Sequence, residues 1–416
     1  MIDITEYTEQ EEKVILIGVS LSDNDDTMDS LDELSELART AGAQTAGVVV
    51  QNRERISPAT YIGSGKVAEV KALLERTGAD GVICDDELSP AQLNNLTEQL
   101  DTKVMDRTLV ILDIFARHAT TSEGKLQVEL AQLKYRSSRL TGLGHSMSRL
   151  GGGIGTRGPG ESKLESDRRQ IRVRIGHLNK ELHELELHRS VTREQRLRSS
   201  IPVAAVVGYT NAGKSTLLNK LTGAGILEAD MLFATLDPTT RMMELPGGQQ
   251  ILLTDTVGFI RKLPHNLIDA FHSTLEEAAY ADIIVHVVDA SNPQAEKQMH
   301  IVYDTLSLLG IKDKPVITLL NKQDLIPEGQ EGLHDLQAEH TIRVSAKYGD
   351  GLEELAEVLS GTLRAQKILI DRTFAYSDAG MLAAIRSQGE LLEEEYGPDG
   401  IHVRAYIPNR LYTRLT

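Results

Sequence analysis

The stretch from residue 201 to residue 223 constrains the fold of this chain more than any other. It contains an apolar run at 203–207, a turn bracketed by Gly208 and Gly213, and a helical pattern that starts at Lys214. A strand, a glycine-bracketed turn of this spacing and a helix are the context in which G-x-x-x-x-G-K-[ST] carries meaning. The stretch therefore predicts an α/β domain built around a phosphate-binding loop.

Each residue type in this loop has a chemical role. The glycines let successive backbone N–H groups point toward an anion, and the helix N-terminus adds its positive dipole. Lys214 is expected to place its ammonium against the β- and γ-phosphates, and Ser215 to supply one hydroxyl oxygen to Mg²⁺. The predicted nucleotide-binding residues of the loop are Gly208, Tyr209, Thr210, Asn211, Ala212, Gly213, Lys214 and Ser215.

Four short motifs follow the loop in a characteristic order. They are LLTDTVGF at 252–259, VVDASN at 287–292, VITLLNKQD at 316–324 and RVSAKYG at 343–349, and three of them follow apolar runs typical of buried parallel strands. An open α/β sheet binds its ligand at the carboxyl ends of such strands. Asp255 is expected to hold the Mg²⁺ through its water shell, and Gly258 to bring its N–H to the γ-phosphate.

The NKQD motif indicates which base is bound. The two carboxylate oxygens of Asp324 match the ring N–H and the exocyclic amine of guanine, whereas adenine has no such pair of donors. Ser345, Ala346 and Lys347 are expected to close over the other side of the ring, with one backbone N–H reaching its carbonyl. The predicted residues of these motifs are Asp255, Thr256, Val257, Gly258, Asn321, Lys322, Gln323, Asp324, Ser345, Ala346 and Lys347.

The chain as a whole sets further limits. Its 416 residues suffice for about three domains, and its one cysteine, Cys84, excludes a disulfide framework and fits a reducing compartment. It has no run of about 18 apolar residues, and its first residues are acidic where a signal peptide is basic. We therefore expect a cytoplasmic protein without membrane insertion. We expect no DNA partner, and we expect the free protein to be a monomer.

The charge is unevenly distributed. The whole chain carries a formal net charge of −17, which would repel nucleic-acid phosphates. Residues 131–180 nevertheless carry about +8, so the remainder carries about −25. The basic segment is a localised feature that can contact RNA.

The first 120 residues predict a small α/β domain. Short buried strands are expected at 14–19, 47–50, 81–84 and 103–105, with helices such as 28–41 and 66–77 between them. YIGSGK at 61–66 resembles a second nucleotide loop, but Thr60 replaces the required glycine and Val67 replaces the hydroxyl residue. The motif is interpreted as a turn that starts a helix.

Residues 121–200 predict an antiparallel helical hairpin. Leucines recur at helical spacing from 126 to 140, and a second helix is expected from 162 to 189, starting with a Ser162/Glu165 capping box. The glycine-rich tip at 141–161 and its basic flanks suit close approach to RNA phosphates; the alternative is a solvated charged hairpin with a disordered tip. The predicted RNA-binding residues are Arg149, Arg157, Lys163, Arg168 and Arg169.

A small α/β domain is expected at the C-terminal end. It should begin with a strand, continue through a helix near 378–387 and end with an alternating strand at 400–408. Its acidic run at 390–395 is interpreted as solvated surface. The predicted division is an N-terminal α/β domain (1–120), the basic hairpin (121–200), a P-loop domain with a mostly parallel sheet (201–365) and the C-terminal domain (366–416).

Three stretches carry a family resemblance that covers nearly the whole chain. FATLDPTTR at 233–241, DTVGFI at 255–260 and GGGIGTRGPGESKLESDRR at 151–169 resemble the HflX GTPases, which associate with the large ribosomal subunit. The resemblance implies GTP hydrolysis, contact with ribosomal RNA, and splitting or rescue of stalled ribosomes. It also implies a switch segment in which Thr235 coordinates Mg²⁺, a choice that spacing alone would not make over Thr239 or Thr240. The segment consists of Phe233, Ala234, Thr235, Leu236 and Asp237.

The catalytic residues are predicted to be Lys214, Thr235 and Gly258, with one departure from the better-known pattern. Phe259 occupies the position where Ras-type enzymes carry a water-orienting glutamine, and a phenyl ring cannot orient water by hydrogen bonding. Slow turnover of the isolated protein is therefore expected. Asn211 resembles the asparagine that holds K⁺ in cation-dependent relatives; alternatively, it only hydrogen-bonds the loop.

Two rival functions stay open at this point. One is a regulatory binding module in which the nucleotide is mainly structural, and the other is an ATP-driven RNA-remodelling enzyme that uses the N-terminal domain. ATP binding has been proposed for HflX relatives in the region of YIGSGK, so the ATP-driven alternative stays open.

Overall fold

A computed structural model describes residues 11–21, 26–147, 159–199, 201–223, 232–233, 239–246, 248–264, 277–327 and 332–413. For 141–147, 159–164, 188, 190–199, 379, 387–388 and 409–410 it describes the backbone only. The chain forms two compact units. Unit 1 comprises Met1–Leu185, Ala229–Asp237 and Arg261–His272, and unit 2 comprises Glu186–Glu228, Pro238–Ile260 and Ser273–Thr416.

Unit 1 contains a parallel four-stranded sheet in the order β2-β1-β3-β4. From Val14 to Ser20 every residue of β1 is buried, because helices cover both faces of a parallel sheet. The predicted strands are confirmed. The elements are β1 (Glu12–Ser20), α1 (Thr27–Thr40), β2 (Ala43–Asn52), α2 (Ser64–Thr77), β3 (Gly81–Cys84), α3 (Pro90–Leu100), β4 (Lys103–Asp106), α4 (Arg107–His118) and α5 (Ser122–Met147).

The hairpin consists of α5 and α6 (Pro159–Ser199). The second helix is longer than predicted at both ends. The capping box at Ser162 and Glu165 is wrong, because the backbone is already helical at Ser162 and offers no free helix N-terminus there. Arg174 and Glu129 join the two helices through a bidentate ion pair with N–O distances of 2.7 and 2.8 Å.

Unit 2 contains a six-stranded sheet in the order β10-β9-β8-β5-β7-β6. Every neighbouring pair is parallel except β6 with β7, which confirms the predicted mostly parallel sheet. The elements are β5 (Val203–Gly208), α7 (Lys214–Thr222), β6 (Thr240–Glu244), β7 (Gln250–Asp255), β8 (Ile283–Asp289), α8 (Ala295–Leu308), β9 (Val316–Asn321), β10 (His340–Arg343) and α9 (Leu352–Ala365).

The strand order places the site. After β5 the chain first builds β6 and β7 on one side and then β8, β9 and β10 on the other. An open α/β sheet forms its ligand crevice where the order reverses, outside the carboxyl ends of the strands. Here that point lies at the ends of β5 and β8.

The C-terminal part of unit 2 is a three-stranded antiparallel sheet in the order β11-β13-β12. Its elements are β11 (Lys367–Phe374), α10 (Ala379–Gln388), β12 (Glu390–Gly397), β13 (Gly400–Pro408) and α11 (Asn409–Tyr412). The acidic run at 390–395 is mostly exposed. It also belongs to the edge strand β12, and its acidic composition did not predict a strand. Arg364 pairs with Glu390 at 2.5 Å, and Arg386 pairs with Glu394, so arginines offset the repulsion along the strand.

Candidate functional site

The loop between β5 and α7 is tightly packed at both of its glycines. A Cβ atom at Gly208 would lie 2.2 Å from the carbonyl oxygen of Val287 in β8. At Gly213, where φ is +96°, it would lie 2.3 Å from Nδ2 of Asn321. Both glycines are therefore required by close approach as well as by the curl of the loop.

Lys214 is buried with its ammonium folded back over the loop. Nζ donates hydrogen bonds to the carbonyl oxygens of Gly208 at 3.1 Å and Tyr209 at 2.8 Å. Burial lowers the pKa of Lys214 to about 8, against the opposing effect of Asp255. A cation so poorly solvated is well suited to bind an anion that reaches the loop.

Two oxygen ligands lie together beside the loop. The Ser215 hydroxyl donates to Oδ2 of Asp255 at 3.1 Å, and Asp255, the last residue of β7, is fully buried. A hydroxyl and a carboxylate are hard oxygen donors of the type that Mg²⁺ prefers. The residues present therefore fit this ion.

The segment that follows Asp255 is bound to the loop through its backbone. The Thr256 hydroxyl donates to the carbonyl oxygen of Val206 at 2.8 Å. Phe259 accepts a hydrogen bond from the Thr210 N–H at 2.8 Å and donates to the Gly208 carbonyl at 3.1 Å. Gly258 directly precedes Phe259. A Cβ atom at Gly258 would lie 2.8 Å from Cα of Thr210 and 3.0 Å from Nζ of Lys214. The Gly258 backbone thus lies next to the lysine ammonium.

In the NKQD motif, Asn321 joins the phosphate loop to the 345–347 segment. This last residue of β9 is 3% exposed; its Nδ2 donates to the Ala212 carbonyl at 2.8 Å, and its Oδ1 accepts from the Ala346 N–H at 2.9 Å. Asn321 therefore fixes the phosphate loop relative to the 345–347 segment. This positioning role was not specified by the sequence, which predicted only that the residue belongs to the site.

Asp324 and Lys322 are each held by a second residue. The buried Ser345 hydroxyl donates to Oδ1 of Asp324 at 2.6 Å, which orients the carboxylate proposed to bind guanine. Lys322 adopts φ +63°, and its Nζ lies 2.7 Å from Oδ2 of Asp289, at the end of β8. Asp289 was missed as a site residue, although its place in VVDASN after an apolar strand was an available signal.

Known protein families match successive parts of the chain. Three family models match: a GTP-binding GTPase N-terminal region at 28–116, a GTP-binding GTPase middle region at 118–196, and a 50S ribosome-binding GTPase at 203–322. The chain is 61% identical to a GTPase HflX of Lacrimispora saccharolytica over 100% of its own length and 98% of that protein's. The chain belongs to the HflX family of GTPases. It is therefore a GTP-binding, GTP-hydrolysing enzyme.

Other similar proteins share less of the sequence. Identity is 47% with the GTPase HflX of Caldanaerobacter subterraneus subsp. tengcongensis, over 99% of this chain and 94% of that protein. A crystal structure of a GTP-binding protein from Sulfolobus solfataricus, in complex with GDP, is 25% identical with a TM-score of 0.45, covering 84% of this chain and 98% of that one.

The HflX switch segment is only partly described. Ala234, Thr235, Leu236 and Asp237 lie outside the described residues, and their predicted roles stay predictions. Phe233 is buried, with φ +57°, and its ring meets that of Phe115 in α4 at a centroid distance of 4.6 Å; both rings belong to unit 1. The role of Phe233 at the nucleotide also stays a prediction.

The HflX hairpin presents some of its basic residues and uses others internally. Arg169 is exposed, whereas Arg168 donates to the Leu140 carbonyl. Arg139, which precedes the glycine-rich tip, lies 2.5 Å from the buried carboxylate of Asp106 and stacks on Tyr135. Arg149, Arg157 and the side chain of Lys163 lie outside what the structure describes.

YIGSGK is a turn followed by a helix, as predicted. Ser57 and Tyr61 exchange backbone hydrogen bonds of 3.1 and 3.0 Å, and α2 begins at Ser64. Lys66 pairs with Glu69 of the same helix at 2.7 Å. The lysine thus contacts its own helix, which does not favour the ATP-driven alternative. Among the described helices, none has the length and apolar composition needed to cross a bilayer.

Proposed function

We propose that this GTPase binds the large ribosomal subunit under the control of its nucleotide state, through contact of its basic hairpin with ribosomal RNA. In the cell such binding would serve the splitting or rescue of stalled ribosomes. The observation that carries the proposal is the charge of residues 131–180, about +8 in a chain of net charge −17.

The exposure of the basic side chains supports this proposal. Arg136 in α5 and Arg169, Arg172 and Lys180 in α6 are all exposed. Localised cations of this kind bind phosphate backbones with little dependence on sequence, while an acidic remainder discourages nonspecific contact. The 50S ribosome-binding description of the family matched at 203–322 is consistent with this partner.

The chemistry follows from the residues of the loop. Ser215, Thr235 and, through water, Asp255 would hold Mg²⁺, which neutralises charge on the β- and γ-phosphates when bound. Lys214 binds the same phosphates, and Gly258 directs its N–H to the γ-phosphate. Phe259 cannot orient water, so the remaining stabilisation would come from the bound subunit or from K⁺ held near Asn211.

Sedimentation with purified large subunits tests the proposal. Wild type should pellet with subunits in a non-hydrolysable GTP analogue and much less in GDP. Changing Arg149, Arg157 and Arg169 to Ala should weaken pelleting by about tenfold or more, because phosphate contacts are lost. Lys71, Lys297 and Lys312, exposed lysines outside the hairpin, provide a control triple variant with the same charge change. Equal pelleting of the two variants would refute the hairpin's role.

A further inference from the structure

Two cationic residues follow closely after residues 256–259, which we call the Gly258 segment. Ile260 is the last residue of a unit 2 segment, and Arg261 and Lys262 begin a segment of unit 1. Within unit 1, Nζ of Lys262 lies 2.6 Å from Oδ2 of Asp85 and 2.7 Å from Oδ1 of Asp86. The Arg261 guanidinium, whose side chain is 8% exposed, lies 2.6 Å from Oδ2 of Asp26. Both cations are thus bound by carboxylates distant in sequence.

The acceptor of Lys262 is a rigid part of unit 1. Asp85, which directly follows β3, is 1% exposed and accepts hydrogen bonds from the Ser30 hydroxyl at 3.0 and 2.8 Å and from Arg107 at 2.8 Å. Asp86 accepts from the Tyr61 hydroxyl at 2.6 Å. Each carboxylate would therefore keep a partner inside unit 1 if Lys262 were removed.

The charges around Asp85 and Asp86 favour the ion pairs of these residues with Lys262. Asp85, Asp86 and Glu33 form an acidic cluster in which Arg107 pairs with Asp85 and Glu33. One guanidinium does not balance three carboxylates, so a second cation lowers the repulsion among them. Burial lowers the pKa of Lys262, but Asp85 and Asp86 raise it by more, so the lysine stays charged.

The distance along the chain between this cluster and the nucleotide loop is short. Phe259 is bound to the loop through both of its backbone groups, and Lys262 is three residues further on. Three residues span at most about 11 Å, so Lys262 cannot lie further than this from the residue that is bound to the loop. The ion pairs of Arg261 and Lys262 are therefore close enough along the chain to restrain the Gly258 segment.

We infer that Arg261 and Lys262 are positioning residues for GTP hydrolysis. Their ion pairs with Asp26 and with Asp85 and Asp86 hold the segment that directs the Gly258 N–H to the γ-phosphate. Loss of these pairs misplaces a group that acts in the reaction, while the residues that bind the base and the β-phosphate are untouched. The inference concerns intrinsic hydrolysis and does not depend on the ribosomal partner.

Single-turnover GTP hydrolysis without ribosomes tests this inference. Lys262→Ala should lower the rate constant about tenfold, since small misplacements of catalytic groups carry large kinetic costs. GDP affinity should stay within about twofold of wild type, as the base and β-phosphate contacts remain. Lys262→Arg should retain most of the rate. Lys103→Ala, which breaks the exposed pair with Glu12 of the same unit, is the matched control.

A double-mutant cycle separates positioning from general destabilisation. Asp86→Asn should lower the rate by about threefold. The double variant Lys262→Ala, Asp86→Asn should be no slower than Lys262→Ala alone, because both substitutions remove the same contact between Lys262 and Asp86. Circular dichroism and thermal melting verify that the variants fold. The inference is overturned by a Lys262→Ala rate equal to or above wild type, or by multiplicative effects in the double variant. A parallel loss of GDP affinity would equally overturn it.

Discussion

At the residue scale, the site depends on polar groups whose burial is compensated by specific partners. Lys214 is the main example, because its ammonium has two backbone carbonyls as hydrogen-bond acceptors in the described structure. Its lowered pKa means that the folded, nucleotide-free protein binds this proton less tightly than the unfolded chain does. By linkage, the free energy of unfolding rises with pH between about 8 and the ordinary value of 10.5.

This shift predicts a pH dependence of nucleotide binding. Bound phosphates favour the charged lysine, so GDP binding should be coupled to proton uptake wherever free Lys214 is partly neutral. With a free pKa of about 8, the Kd for GDP should be about tenfold higher at pH 9 than at pH 7. Calorimetry in buffers of different ionisation enthalpy measures both quantities. A Kd that is constant over this range, with no proton uptake near pH 8, would contradict the assignment.

Residues of the site differ in how far the sequence could predict them. Gly208, Lys214, Asp255 and Asn321 follow apolar strands, so their convergence at one sheet edge follows from topology. Asp289 and Lys262 act through partners distant in sequence, and such pairs depend on how strands and loops are placed in three dimensions. Thr235 was chosen by resemblance, since three threonines lie near one another in the chain.

At the element scale, hydrophobic periodicity predicted the strands and long helices well. It failed where charge dominates: β12 carries consecutive glutamates, and its strand structure depends on pairing with β13 and on arginines of neighbouring elements. The predicted start of α6 is wrong because a serine followed three residues later by a glutamate, as at Ser162 and Glu165, also occurs inside helices. A short sequence pattern cannot distinguish these settings without the preceding turn.

The attachment of α5 to the N-terminal sheet gives an element-scale prediction. Asp106 is fully buried and accepts from the Leu88 and Leu109 N–H groups, the Tyr135 hydroxyl and Arg139. Arg139→Ala leaves this charge without its cation, which should cost about 3 kcal/mol of local stability. Hydrogen exchange in peptides covering α4 and α5 should then accelerate about a hundredfold.

Arg136→Ala is the control for this prediction. Arg136 lies on the same helix but is exposed, so its removal should change local stability by less than about 0.5 kcal/mol. Similar exchange rates in the two variants would show that the Arg139–Asp106 pair does not hold α5 in place.

At the scale of the whole molecule, one chain combines a nucleotide-binding loop with a basic segment. Unit 2 carries the nucleotide loop, while unit 1 contains the segment 229–237, with the predicted Mg²⁺ ligand Thr235, and the segment 261–272, which follows Gly258 in the chain. The basic segment lies in an otherwise acidic chain, which localises electrostatic attraction to RNA.

In the proposed function, GTP hydrolysis is coupled to RNA contact by the hairpin. The most direct test is the GTP turnover rate with and without purified large subunits, for wild type and for the Arg149→Ala, Arg157→Ala, Arg169→Ala variant. Subunits should accelerate wild-type turnover by about tenfold or more and should accelerate the variant far less at the same subunit concentration. A wild-type rate unchanged by subunits, or equal acceleration of both proteins, would contradict this coupling.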